Sequence, residues 1–438
     1  MPPTNGDALT GRSFTYTSGR RKMAQVTKTD AATFDRRQIY RPFLEHLNPA
    51  VLTRSVAERN LLVVPPTSDP RDPTQPPIHE VFADRAELNR GTQMALVGGI
   101  GSGKTTELLL TMDRLRRHDD AVNVFLEASE FTDFSETNPG AMLAAIGLRL
   151  CARIGKLFGE PSEQVRSASD KLRKLALGTT EWHGEPPDSE EWDGMYAVRV
   201  PGLMKPRFPE LKERVAEVKD LLETVLSRFL ERDSQITVLV DGLDRLIEPA
   251  RFREFAEQDL RALRGTKVTM IVAAPLLLWY DHSRFLDDYF DVVKHIPVAA
   301  VDPKESRFLK DILKRRGADE LMSAASINDI CRFSGGVLRD LLELAQSAAQ
   351  DAYRGTEDRI SKQHVREAVR QLGNRYLAGV GTTRRTIIRR LLRDEQFSPS
   401  SPVSRDLLVN RQVLEYSKGG RDYFRVHPAL VEVLPEPA

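Results

Sequence analysis

Apolar residues recur along this chain in two rhythms. Short runs dominated by apolar side chains stand at 94–97, 121–126, 236–240, 268–273 and 291–298, which predicts strands buried in a sheet. Longer segments between them repeat apolar positions at steps of three and four. In 209–232 these are Leu211, Val215, Val218, Leu222, Val225 and Phe229, one face of an amphipathic helix. Residues 140–158 read as another helix and 163–177 as a more polar one. Strands alternating with helices predict an α/β domain whose parallel sheet has about five strands joined by helical crossovers.

The same pattern divides the chain. Residues 1–30 are polar, glycine- and proline-bearing, with the basic cluster Arg20, Arg21 and Lys22, and read as a disordered arm. Residues 31–76 form a helical N-terminal segment ending in a proline-rich linker at 65–77. The α/β core spans 77–300, with a helical insertion at about 137–234 and an acidic loop at 179–207 whose role the sequence leaves open. A helical region follows at 301–375. Asp302, Pro303 and Glu305 predict its first cap, and Ser326 and Ser361 predict later ones. The last unit, 383–438, reads as a helix at 384–393, a helix at 404–410, and a hairpin whose strands at 413–416 and 423–426 flank the turn SKGG.

Composition narrows the function classes. The chain has 438 residues, enough for two or three cores, and 64 basic against 63 acidic residues leave a net charge of +1. Any nucleic-acid-binding face must therefore be local. Cys151 and Cys331 stand far apart in apolar helical patterns, which supports neither a zinc site nor a disulfide framework and points to a reducing cytoplasm. The longest apolar stretch, 268–280, is too short for a membrane span and contains Pro275.

Chemistry enters at residues 94–106, MALVGGIGSGKTT. Gly98, four residues, then Gly103, Lys104 and Thr105 make the full phosphate-loop spacing, between a predicted strand and a predicted helix. Loop residues Gly98, Gly99, Ile100, Gly101, Ser102, Gly103, Lys104, Thr105 and Thr106 would wrap phosphate in backbone N–H groups at a helix N-terminus. Lys104 would reach the β- and γ-phosphates, and Thr105 would hold Mg²⁺. A second landmark, ITVLVDGLD, ends a strand in Asp241 and places Asp244 three positions on. Asp241 would hold the metal and Asp244 would align the attacking water.

With FADR at 82–85, GGIGSGKTT and LVDGLD in place, the chain resembles the AAA+ side of the P-loop NTPases. Two groups within it are similar: the origin-recognition-like ATPases and the signal-transduction ATPases called STAND, whose second acid stands where Asp244 does. The resemblance implies a P-loop core, a helical lid and a C-terminal winged helix. It implies ATP or ADP with Mg²⁺ as cofactors, and it places a sensor arginine at Arg339, in SGGVLRDLLELA. In these families the strand at 268–274 usually ends in a polar sensor, whereas here Ala273, Ala274 and Pro275 end it, so turnover is expected to be slow. Arg284 falls where an arginine acting on a neighbouring subunit could lie.

Two uses of the winged helix stay open. In STAND proteins it is an intramolecular brake in which a histidine contacts ADP, and His427 is the candidate. Alternatively Arg384, Arg385, Arg389, Arg390 and Arg393 make its first helix basic enough to meet duplex DNA, as in an initiator, transposition helper or regulator. The expectation is an ATP-binding, ATP-hydrolysing switch. DNA, a protein partner or further copies of the chain are its possible partners, and a slow nucleotide-binding scaffold is the third reading.

Overall fold

The computed structural model describes residues 28–117, 121–131, 139–177, 211–246, 249–281, 283–301 and 306–434. The polar arm up to residue 27, the whole 179–207 loop and the cap expected at 302–305 lie outside the described residues.

Five strands form the central sheet: β1 (Gln93–Gly98), β2 (Ala121–Glu127), β3 (Gln235–Asp241), β4 (Thr269–Pro275) and β5 (Val292–Ile296). All neighbours are parallel, in the order β2-β3-β4-β1-β5. The expected α/β fold with a five-stranded parallel sheet is what forms. Alternation along each strand explains the layers: Ala95 and Val97 face one core, with Val238, Val240 and Val272, while Met94 and Leu96 face the other, with Leu239 and Ile271. Helices Ala141–Phe158 and Leu211–Leu230 cover the first face, and helices Ile78–Leu88 and Lys104–Leu115 cover the second.

The helical insertion is anchored by one buried acid. Asp259, on a π-helical turn at Ala256–Leu260, accepts from the backbone N–H of Gly140 (2.6 Å) and Met142 (3.1 Å), at the N-terminus of Ala141–Phe158. Burial pushes its carboxyl up to about 7, against the two N–H bonds. Asp259→Ala would leave those donors without an acceptor in a dry interior, and thermal or urea unfolding should show a loss of roughly 1–3 kcal/mol. A variant as stable as the parent would show that the cap is dispensable.

Beyond the sheet, helices Arg307–Arg315, Ala324–Phe333, Leu338–Arg354 and Lys362–Leu377 build the helical domain. Helix Ala324–Phe333 is capped by Ser323, whose hydroxyl accepts from Ser326 N, so the expected cap at Ser326 lies one turn too late. Ser361 caps as expected, with His364 completing the box. Next come helices Thr382–Asp394 and Pro402–Val409, the antiparallel hairpin β6 (Val413–Lys418) and β7 (Arg421–Val426), and a short helix Pro428–Val431. This C-terminal unit shares one hydrophobic core with the helical domain, through Ile388, Leu391, Leu407, Val413 and Ala429.

One N-terminal expectation changes. Helix Lys28–His46 packs onto the helical domain, placing Tyr40 and Phe43 in the same core, together with Leu47 just beyond it. The proline-rich stretch read as a linker is a packed strap: Asp69 pairs with Lys294 at the end of the sheet, and Arg71 bridges His295 and Asp422 of the hairpin. Prolines there fix an extended path; the charged side chains between them do the anchoring. Among the described residues no helix is long and apolar enough to cross a membrane, and both cysteines are free.

Candidate functional site

Strand β1 delivers the loop 99–103 to the C-terminal edge of the sheet, between β4 and β5. Gly103 takes φ +110° to turn the chain into helix Lys104–Leu115, a conformation that a side chain would strain. The first residue of that helix is nearly inaccessible. Lys104 Nζ donates to the carbonyls of Gly98 (2.9 Å) and Gly99 (2.7 Å) and pairs with Asp244 Oδ2 at 2.8 Å. Thr105 Oγ1 donates to Asp241 Oδ2 at 2.6 Å. Two predicted motifs far apart in sequence thus meet through two direct contacts, because β3 ends beside the loop and Gly242, at φ +83°, turns Asp244 back toward it.

Burial pushes the Asp241 carboxyl above the usual range, and the neighbouring Asp244 adds to this. The Thr105 hydroxyl, the Lys104 ammonium and the backbone N–H of Gly242 oppose it. Glu127, which sequence reasoning passed over, ends β2 in register with Asp241 and pairs with Arg245 at 3.2 Å. Three carboxylates therefore stand at one sheet edge. A strand ending in an acid was as visible at 121–127 as at 236–241, but no second motif marked it.

The core is a P-loop NTPase fold. Its phosphate loop opens onto a cavity of about 370 Å³, a size typical of small-ligand sites. Ile100, Gly101, Gly103, Lys104, Thr105, Thr106, Asp241 and Asp244 line its polar end. Gly98 and Gly99 contribute through their carbonyls on Lys104 instead. The apolar end comes from two places: Pro49, Leu52, Leu62, Val63 and Val64 of the N-terminal segment, and Phe308, Ile312, Leu338 and Leu342 of the helical domain. Buried arginines clamp the N-terminal wall on both sides. Arg59 makes two bonds to Asp113 of the P-loop helix, at 2.9 and 2.7 Å, and one to Leu52 O. Arg316 donates to the carbonyls of His46, Leu62 and Ile312, and burial pushes its pKa down to about 10. The only advance signal of this wall was the apolar run LLVV before Pro65.

A polar end with a buried ammonium and N–H-rich loop, joined to an apolar end, matches a nucleotide: phosphates at one end, a flat base at the other. The Oγ of Ser102, buried in the loop, has no hydrogen-bond partner among the described residues, and an anion in the loop would supply one. Thr105 and Asp241 offer the pair of hard oxygens that Mg²⁺ takes from a protein when phosphates provide the rest. The described residues contain no cluster of three or more His, Cys, Asp or Glu able to hold a metal.

Arg339 is exposed, lines the cavity and has no hydrogen-bond or ion-pair partner among the described residues. His427 corrects the sequence expectation: it is fully buried and does not line the cavity. Its Nδ1 accepts from Ala429 N and its Nε2 meets Asp340 Oδ2 at 3.2 Å, so neither ring nitrogen is free to reach a nucleotide. At the end of β4, Ala274 and Pro275 lie beside Val97 and Gly98 of β1, and no polar side chain is supplied there.

No family model matches the sequence, and no curated protein matches it. Solved structures that do match include a chain of the Drosophila ORC bound to DNA, at 13% identity over 94% of this chain and 94% of that one, with a TM-score of 0.39. The Aeropyrum pernix ORC1 protein in complex with DNA matches at 15% identity over 89% and 96%, TM-score 0.42. The Thermotoga maritima RuvB Holliday junction branch migration motor matches at 14% identity over 83% and 85%, TM-score 0.37.

Proposed function

We propose that the chain is an ATP-binding, slowly hydrolysing ATPase of AAA+/STAND-like type, whose bound nucleotide sets the arrangement of the helical lid and the C-terminal winged helix. Lys104 and the loop N–H groups would bind the β- and γ-phosphates; Thr105 and Asp241 would hold Mg²⁺, which draws charge from the phosphate oxygens. A γ-phosphate competes with Asp244 for Lys104, so binding frees that carboxylate to orient water. Arg339 faces the same space and would report whether the γ-phosphate is present.

The observation that supports a switch is a continuous contact from hairpin to phosphate loop. Tyr416 of β6 donates to Gly335 O at 2.7 Å, and Leu414 packs with Val337. One residue on, Leu338 N donates to Gly101 O at 2.9 Å, and a Cβ on Gly101 would stand 2.6 Å from Val337. A ligand that shifts the loop therefore shifts what the hairpin rests on, which is the differential contact that a ligand-driven change requires. Duplex DNA has weaker support. Within helix Thr382–Asp394, Arg384, Arg385, Arg390 and Arg393 already donate to Asp406, Val380 O, Gln396 and Asp394, leaving Arg389 as the exposed cation without such an acceptor among the described residues.

Hydrogen exchange on the intact chain tests the reading. Residues 413–426 are expected to differ in protection between ADP and a non-hydrolysable ATP analogue. Tight binding of both with identical protection would leave a nucleotide-binding scaffold.

A further inference from the structure

Three consecutive residues open helix Leu338–Arg354, and each faces a different neighbour: Leu338 bonds the phosphate loop, Arg339 lines the cavity, and Asp340 points into the C-terminal unit. Asp340 is fully buried. Its carboxylate receives Arg411 Nη1 at 2.5 Å, Tyr376 Oη at 2.5 Å and His427 Nε2 at 3.2 Å. Because the backbone N–H of Ala429 can only donate, His427 Nδ1 must accept, and the ring's proton sits on Nε2, aimed at Asp340. Burial works against ionisation of Asp340, yet the His427 hydrogen bond and the Arg411 charge hold its carboxyl below the usual range.

Arg411 stands out among these donors. It lies in the turn before β6 at φ +59°, left-handed backbone that glycine would occupy without strain. Its guanidinium lies over the Tyr376 ring, 5.4 Å from the centroid. A turn alone would favour glycine there; the side chain is what requires arginine.

We propose that Arg411 is a positioning residue of the nucleotide site: by holding Asp340 it fixes the first helical turn, and so makes docking of the C-terminal unit a condition for Arg339 standing at the cavity. A helical turn moves as one body, so loss of the Arg411 guanidinium that holds Asp340 loosens Arg339 and the Leu338–Gly101 bond together. This rests on the nucleotide-switch reading above and deepens it.

The test uses the intact chain, a fluorescent ADP analogue chased with excess ADP, and a thermal melt. Arg411→Gly relieves the left-handed backbone, so its melting temperature should stay near that of the parent, yet the analogue should leave about tenfold faster. Arg411→Lys, which keeps the charge, should restore the rate to within about threefold. If the glycine variant melts early, Arg411→Gln, which retains the parent's backbone demand, is expected to show the same faster release. Parental release rates in these charge-free variants, or a lysine variant as fast as the glycine one, would overturn the proposal while leaving the switch intact. A parent chain that fails to bind the analogue would overturn both.

Discussion

Lys104→Ala is expected to abolish nucleotide binding, lowering affinity for ATP and ADP by at least about a hundredfold, or roughly 3 kcal/mol. Its ammonium sits on the floor of the cavity, held by two loop carbonyls and Asp244, and these contacts aim it at the place where phosphate would lie. Among the described residues, the other cations that line the cavity are Arg245, Arg316 and Arg339, none of them part of the loop. The fold should survive. The P-loop helix is anchored by Leu108, Leu109, Met112 and Leu115 in a hydrophobic core of which Lys104 is no member, and Asp244 keeps some access to water. Titration calorimetry and a thermal melt on the same sample read both halves. Parental affinity in a folded variant would remove the loop from any phosphate-binding role.

What the sequence made legible follows from how local each feature is. The five strands were visible because a parallel sheet covered on both faces needs runs dominated by apolar residues, a signal that is weakest at the edge strand β5, which carries Lys294 and His295. Lys104, Thr105, Asp241 and Asp244 were visible because their spacing is fixed by a strand–turn geometry, which leaves a pattern within a few residues. The apolar wall from Pro49 to Val64 left almost none: it becomes part of the site only when Arg59 and Arg316 clamp it between two helices distant in the chain. The strap at 65–77 misled for a related reason. Prolines signal an extended path, but nothing in composition tells whether Asp69 and Arg71 along it will find Lys294, His295 and Asp422.

His427 shows the same limit from the opposite side. A histidine after the last strand carries no sign of whether it faces a ligand or a buried acid. Its partner Asp340 lies 87 positions upstream, in a stretch where only the adjacent Arg339 drew attention. The basic helix illustrates it again, because the arginine count was legible while the acceptors that engage those arginines lie outside the helix: Val380 just before it, and Asp406 on the helix that folds back after it.

The second large effect is expected at the two acids of β3 and the following turn. Asp241→Asn keeps an oxygen that can accept from Thr105 but loses the charge that would balance a divalent cation, so ATP should still bind while hydrolysis falls by about a hundredfold or more. Asp244→Asn acts differently. It releases Lys104 from its ion pair, so nucleotide affinity should hold or rise slightly, yet the group that would orient water is lost and turnover should fall by a similar factor. A pH effect separates the two. Cation binding needs Asp241 ionised, and its carboxyl is raised by burial, so Mg²⁺ affinity should weaken as pH falls at values above those of an ordinary carboxylate. Asp241→Asn should erase that dependence and Asp244→Asn should retain it. Phosphate release from a single turnover, measured against Mg²⁺ concentration at several pH values, reads all of this. Parental turnover in both variants would reduce LVDGLD to a plain strand end, and would move the search for the hydrolytic carboxylate to Glu127, the third acid at the same edge.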